Sequence, residues 1–219
     1  ENLDMESILE KEPLTIVFSA MGWIRAMRGH VALESKLKFR DGDQEYIKFH
    51  AYSTDKILAI GSNGRCYTLA ASVLPGGRGL GEPIRIMIEL PNESEIVALL
   101  LFKSEKKLLI ASNVGNGFIV SHEEIQAQTR NGKQVLNLKS NQILSVCTPA
   151  DGDYVASLGE NGKLLVFPLS ELPEMSRGKG VRLQKFKAGG LSDAIVFESK
   201  LGLSWRMSGE KWRTETNIL

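Results

Sequence analysis

Three short glycine-bearing segments each carry bases: "GRGLG" at 77–81, "TRNGK" at 129–133 and "SRGKG" at 176–180. Glycine lets a backbone approach a ligand closely with its amides turned outward, and a guanidinium forks onto two oxygens of one phosphate. Arg78, Arg130, Lys133, Arg177 and Lys179 are therefore candidate phosphate contacts. The alternative is that these glycines serve only turn geometry. None of the three segments is a nucleotide loop. None reads GxxxxGK[ST], and Pro83 stops the helix that a dinucleotide turn requires. The third segment lies within a longer basic run. From Met175 to Ser192 there are five bases, Arg177, Lys179, Arg182, Lys185 and Lys187, and no acid. Lys36, Lys38 and Arg40 alternate with Leu37 and Phe39, the pattern of a half-buried strand with a basic outer face.

The elements that must hold these bases repeat along the chain. An apolar run, a glycine-containing turn and a second apolar run recur five times, with the shared glycine at Gly22, Gly64, Gly117, Gly162 and Gly209. Asn-Gly at 63–64, 116–117 and 161–162 suits a tight hairpin, which needs positive φ. Gly79, Gly132 and Gly178 recur in phase behind the hairpins. Each is followed by a strand-like stretch (84–90, 135–138, 183–186) and then by a strongly apolar run (96–102, 143–147, 194–197). The continuous run "IVALLLF" predicts a strand buried on both faces. About four strands per repeat of 40 to 50 residues predicts an all-β, propeller-like array of about five four-stranded blades. That period disfavours a β-sandwich pair or an open solenoid. The fifth repeat is too short for four strands, so either the strand near Leu14–Phe18 completes it or the array stays open. Helix is scarce; Ser121 with Glu124 resembles a capping box over two turns at most.

Composition narrows the function classes. The chain has 219 residues, 42% of them hydrophobic, and a formal charge of +1, so a disordered chain is excluded. Residues 1–12 hold five acids and one base, which leaves +5 on residues 13–219. The acidic start, without Met, reads as a linker from a longer polypeptide. A basic stripe on a near-neutral body is an electrostatic footprint for phosphate. Cys66 and Cys147 form no CxxC, and His30, His50 and His122 are scattered. Reduced core thiols are expected, with no metal site. No apolar run is long enough to span a membrane. Trp23 and Trp205 fall at related hairpin positions and are expected in the core, so with Trp212 they offer no base-stacking platform. No catalytic constellation stands out, which leaves no active site to assign.

Four ordered words carry a family resemblance over residues 12–205: "EPLTIVFSAMGWIRAMRGH", "LPGGRGLGEPIRIMIELP", "KLLIASNVGNGFIV" and "GKLLVFPLSELPEMSRGKGVRL". They resemble the C-terminal β-pinwheel domain found in the A subunit of bacterial topoisomerase IV. The related gyrase domain carries a Q-[RK]-R-G-G-[RK]-G box in its first blade; "ESKLKFRDGDQE" stands there instead, and "SRGKGVR" is a degenerate echo later. The resemblance implies a domain over residues 13–219 that binds and bends double-stranded DNA on a basic outer rim and presents a segment for decatenation and relaxation. It places Arg25 and Arg28 on the DNA-facing surface of the first blade, although strand alternation would put the two on opposite faces, so at least one is structural. It also implies a bacterial cytoplasmic, nucleoid-associated protein, monomeric as this piece, with the rest of the A subunit and the whole B subunit as partners. No cofactor is expected in this part; Mg²⁺ and ATP belong to the holoenzyme. A gyrase-type wrapping domain and a protein-interaction propeller without DNA binding remain the alternatives.

Overall fold

The structure is a computed structural model that describes residues 10–76, 78–207 and 211–217. The hairpin glycine Gly209 and most of the acidic start lie outside the described residues. In chain order, β1 (Pro13–Ser19) and β2 (Trp23–Arg28) form a hairpin, with β3 (Glu45–Tyr52) against β1. β4 (Lys56–Gly61) and β5 (Arg65–Ala70) form the second hairpin. The two-residue β6 (Glu82–Pro83) then adds to β2, and β7 (Ile96–Leu101) lies against β4. β8 (Lys107–Ser112) and β9 (Asn116–Ser121) make the third hairpin, followed by one helical turn, α1 (His122–Ile125). β10 (Lys133–Gln134) lies beside β5, and β11 (Leu144–Pro149) beside β8. β12 (Tyr154–Gly159) and β13 (Leu164–Pro168) are the fourth hairpin; β14 (Val181–Arg182) joins β9, and β15 (Leu191–Phe197) joins β12. β16 (Leu203–Arg206) and β17 (Trp212–Glu215) pair as the last hairpin.

Three sheets are four-stranded, in the orders β3-β1-β2-β6, β10-β5-β4-β7 and β11-β8-β9-β14. The fourth has three described strands and the fifth two. The chain divides into two compact units. One comprises residues 1–61, 66–102 and 126–133, the other residues 62–65, 103–125 and 134–219. Unit 1 has its own core around Ile16, Ile24, Ile57, Tyr67, Ile84 and Ile88; unit 2 packs Leu109, Ile119, Val155, Phe167, Leu183 and Leu191. The strands buried on both faces are β1, β4 and β8, the first strands of the first three hairpins. The "IVALLLF" run buries only Ile96 and Leu99 within β7, because it lies at a sheet edge.

Several local expectations are corrected. The third hairpin turns at Gly115, at φ 85°, and Gly117 lies inside β9. "VGNG" offers two glycines, and the upstream one takes the left-handed conformation. The short fourth strands begin earlier than the apolar stretches suggested, at 82–83, 133–134 and 181–182. Ile84–Ile86, for example, is a 3-10 turn. Each short strand follows a glycine, Gly81, Gly132 or Gly180. That glycine sits against the carbonyl two residues beyond a hairpin turn glycine: Ile24, Cys66 and Gly117 respectively. Residues 36–40 form no strand, yet Lys36, Lys38 and Arg40 are exposed while Leu37 and Phe39 are half-buried. β1 is flanked on both sides by β2 and β3.

In unit 2, buried His122 accepts the Lys103 N–H at Nδ1, 3.1 Å. Burial pulls its pKa below 6.5, against a weaker upward pull from Asp151 and Glu105. The unfolded chain therefore takes up the proton first as pH falls. This contribution to stability is intact above pH 6.5 and is lost as pH drops through the folded pKa. Urea unfolding at pH 7.5 and pH 5 should show the loss, and His122→Asn, which keeps an acceptor near Nδ1, should flatten it.

Candidate nucleic-acid interface

In unit 1 the bases fall into two classes. Arg28, Lys36, Lys38, Arg40 and Arg78 are exposed. Arg25, in the middle of β2, is only 6% exposed. Its Nη1 donates to the Gly79 carbonyl at 3.1 Å and its Nη2 to the Lys38 carbonyl at 2.9 Å. Burial lowers its pKa, but a guanidinium stays charged across the working range. Of the Arg25/Arg28 pair, Arg25 is thus the structural member and leaves the list of direct phosphate contacts. Arg40 stacks over the Trp23 ring, 4.0 Å from its centroid, and Phe39 lies 5.4 Å from the Arg25 guanidinium, so β2 carries residues 36–40 through rings rather than a ladder.

Arg130 is exposed but tied to backbone. Its Nε donates to the Met87 carbonyl at 3.0 Å and its Nη2 to the Ile86 carbonyl, which ties up most of its fork on backbone. Arg85, which the sequence did not single out, clamps its neighbouring loop through the carbonyls of Leu90, Pro91, Asn92 and Ser94. Nothing in "PIRIM" marks that role, since the acceptors become neighbours only when the loop curls.

In unit 2, Arg177, Lys179, Arg182 and Lys185 are exposed, between buried Leu183 and Gln184 on one side and a pinned backbone on the other. The pins are backbone hydrogen bonds from Met175 to Ile119, Gly178 to Val135, Asn137 to Gly178 and Leu183 to Gly115, at 2.8–3.0 Å. Gln184 accepts from the Ser157 hydroxyl at 3.0 Å, and Arg177 Nε donates to Asn137 Oδ1 at 3.3 Å. Lys133 is half-buried at the start of β10. Arg78 and Arg177 occupy the same place, three residues before Gly81 and Gly180.

The ion pairs Lys48–Glu45, Lys106–Asp151 and Lys107–Glu174 use no candidate base. The exposed cations of both loop sets reach solvent; among the described residues, Arg40 alone of them lies close enough to a carboxylate, Asp43, to lower its pKa, behind hydrogen bonds to Asp43 from Ser19, Met21 and Gln44. Trp205 is 38% exposed and Trp212 70%, so neither is core, because the last hairpin has no described flanking strands. Cys66 is buried, and burial pushes the Cys147 thiol up to about 12. Among the described residues, no group of three or more His, Cys, Asp or Glu is placed to hold a metal ion, and no helix is long and apolar enough to cross a membrane.

A family model described as "DNA gyrase C-terminal domain, beta-propeller" matches residues 55–103, 106–146 and 153–197, more than half of the chain. The chain belongs to that family. Its fold is the all-β, propeller-like pinwheel of repeated four-stranded sheets. Among curated relatives, it is 44% identical over 217 residues to the A subunit of DNA topoisomerase 4 from Rickettsia bellii (strain RML369-C), covering 99% of this chain and 29% of the relative. Its counterpart from Caulobacter vibrioides (strain ATCC 19089 / CIP 103742 / CB 15) is 45% identical over 201 residues, 92% of this chain and 26% of the relative. The chain thus spans less than a third of the length of these relatives. The solved E. coli ParC C-terminal domain superposes with a TM-score of 0.81 at 28% identity, over 92% of this chain and 85% of that one. A gyrase A C-terminal domain matches in fold at TM-score 0.58 and 17% identity, over 84% and 64% of the two chains.

Proposed function

We propose that the chain binds duplex DNA without reading its sequence, through phosphate contacts from Arg28, Lys36, Lys38, Arg40, Arg78, Lys133, Arg177, Lys179, Arg182 and Lys185. The carrying observation is that nine of these ten cations are exposed, several on loops whose backbone is pinned by hydrogen bonds, in a chain of this family. Phosphate contacts fix a protein on a duplex but carry no base information. Bending a site of 20–30 base pairs costs on the order of 1–6 kcal/mol. Counterion release from several phosphates can offset that. Within a bacterial type IIA topoisomerase the chain would bend a duplex and present it for strand passage, in decatenation and supercoil relaxation. The rest of the A subunit, together with the B subunit, would supply the cleavage chemistry, with Mg²⁺ and ATP bound there.

Reversing charge at Arg177, Lys179 and Arg182 to Glu should weaken binding roughly tenfold or more, by the same factor on duplexes of unrelated sequence. Mobility shifts on three such duplexes check this. Loss on a single sequence would mean base readout instead. Undiminished binding would move the contact elsewhere, and no shift by the unaltered chain at low salt would favour a protein-docking propeller, for which exposed Trp212, Leu164 and Leu165 offer apolar surface.

A further inference from the structure

We infer that Arg25 is a positioning residue for the duplex-binding surface of unit 1, an inference that rests on the DNA-binding reading above. A cation in the middle of β2, between buried Ile24 and Ala26, is an expensive choice. No carboxylate pairs with it among the described residues, and its Nε finds no hydrogen-bond partner there. An aliphatic side chain would fill the same space without the desolvation penalty. What only a guanidinium does at this place is hold two carbonyls at once in a fixed fork.

The two carbonyls belong to Lys38 and Gly79, on separate loops. One loop carries Lys36, Lys38 and Arg40; the other carries Arg78. Both loops have further anchors on β2: Arg40 on the Trp23 ring, and Gly81, where an added Cβ would lie 3.2 Å from Arg25 Cβ. Residues 36–40 have no strand partner to fix them, so the Arg25 fork takes the place of a ladder. Its effect is to hold together the backbones that carry Lys38 and Arg78 before DNA arrives, which removes an ordering cost from binding. Arg25 thus acts on phosphate through exposed neighbours and makes no contact of its own.

The test is a double-mutant cycle on the whole chain with a fluorescent 30-base-pair duplex as probe. It compares the unaltered chain, Arg25→Met, the loop triple Lys36→Gln/Lys38→Gln/Arg78→Gln, and the combination. Arg25→Met should weaken binding roughly tenfold by unfixing the loops. The combination should bind within about twofold of the triple, because Arg25 works through those cations. Arg25→Lys, which keeps the charge and can reach one carbonyl, should recover part of the loss, and it stands in if the Met variant fails to fold. Amide exchange over 36–40 and 78–81 should quicken in Arg25→Met. Binding unchanged in Arg25→Met, losses that multiply in the combination, or unchanged loop exchange would each overturn the role. An unaltered chain that binds no duplex sinks the DNA-binding reading itself, a different result from a binding chain indifferent to Arg25.

Discussion

Gly180→Ala should lower the melting midpoint by roughly 6–12 °C, the shift expected from a loss of about 3 kcal/mol in a chain of this size. Two penalties combine at this position. Gly180 has φ 72°, where an L side chain costs about 1 kcal/mol or more. A Cβ there would also lie 2.1 Å from the Gly117 carbonyl oxygen and 2.4 Å from its carbon, both backbone atoms that cannot swing aside. Relief would require β14 to draw away from β9, breaking the Val181–Gly117 pairing. Gly162→Ala is the matched control. It shares a φ of 75° but has nothing within 4 Å, so it should lose only the backbone share, about 1 kcal/mol. Calorimetry on the pair separates close approach from conformation. Equal small losses would mean that β14 does not hold its loop against β9. Because Lys179 and Arg182 flank Gly180, the variant should also bind DNA more weakly at temperatures where it remains folded.

How much of this was legible in the sequence depends on the distance over which each feature is decided. The hairpins follow from apolar runs around a positive-φ glycine, both local, and they fall where the words predict. The third turn was misplaced by two residues because "NVGNG" offers Gly115 and Gly117, and strand register, set by β8, chooses between them. The fourth strands were expected in apolar stretches such as 84–90, but they are two-residue additions to a hairpin roughly 60 residues upstream, a partner that local alternation cannot reveal. The exposure pattern of 36–40 follows the alternation, but no neighbouring strand causes it: Phe39 lies against Arg25 and Arg40 over Trp23, both residues of β2. For the site, exposure of Arg28, Lys36, Lys38, Arg40, Arg78, Arg177, Lys179, Arg182 and Lys185 follows from polarity alone. Arg25 is buried on carbonyls distant in sequence, and exposed Arg130 is tied to others; no motif marks those. Trp205 sits at a core-like hairpin position, yet its hairpin has no described flanking strand to cover it.

The largest effect expected of the chain is on DNA affinity, and it comes from salt. Each phosphate neutralised releases condensed counterions, so log K falls against log salt with a slope near −0.9 per contact. The exposed cations of the two loop sets suffice for about six contacts, which gives a slope near −5 and a loss of roughly 10³-fold in affinity between 50 and 200 mM salt. Arg25, buried with its fork on backbone carbonyls, is expected to add nothing to the slope. A duplex-binding isotherm repeated across that salt range is the most direct measurement. A slope near −5 that becomes shallower by about one for each exposed loop base removed is the predicted result. A flat response, or a slope indifferent to removal of those bases, would contradict phosphate binding by the loops.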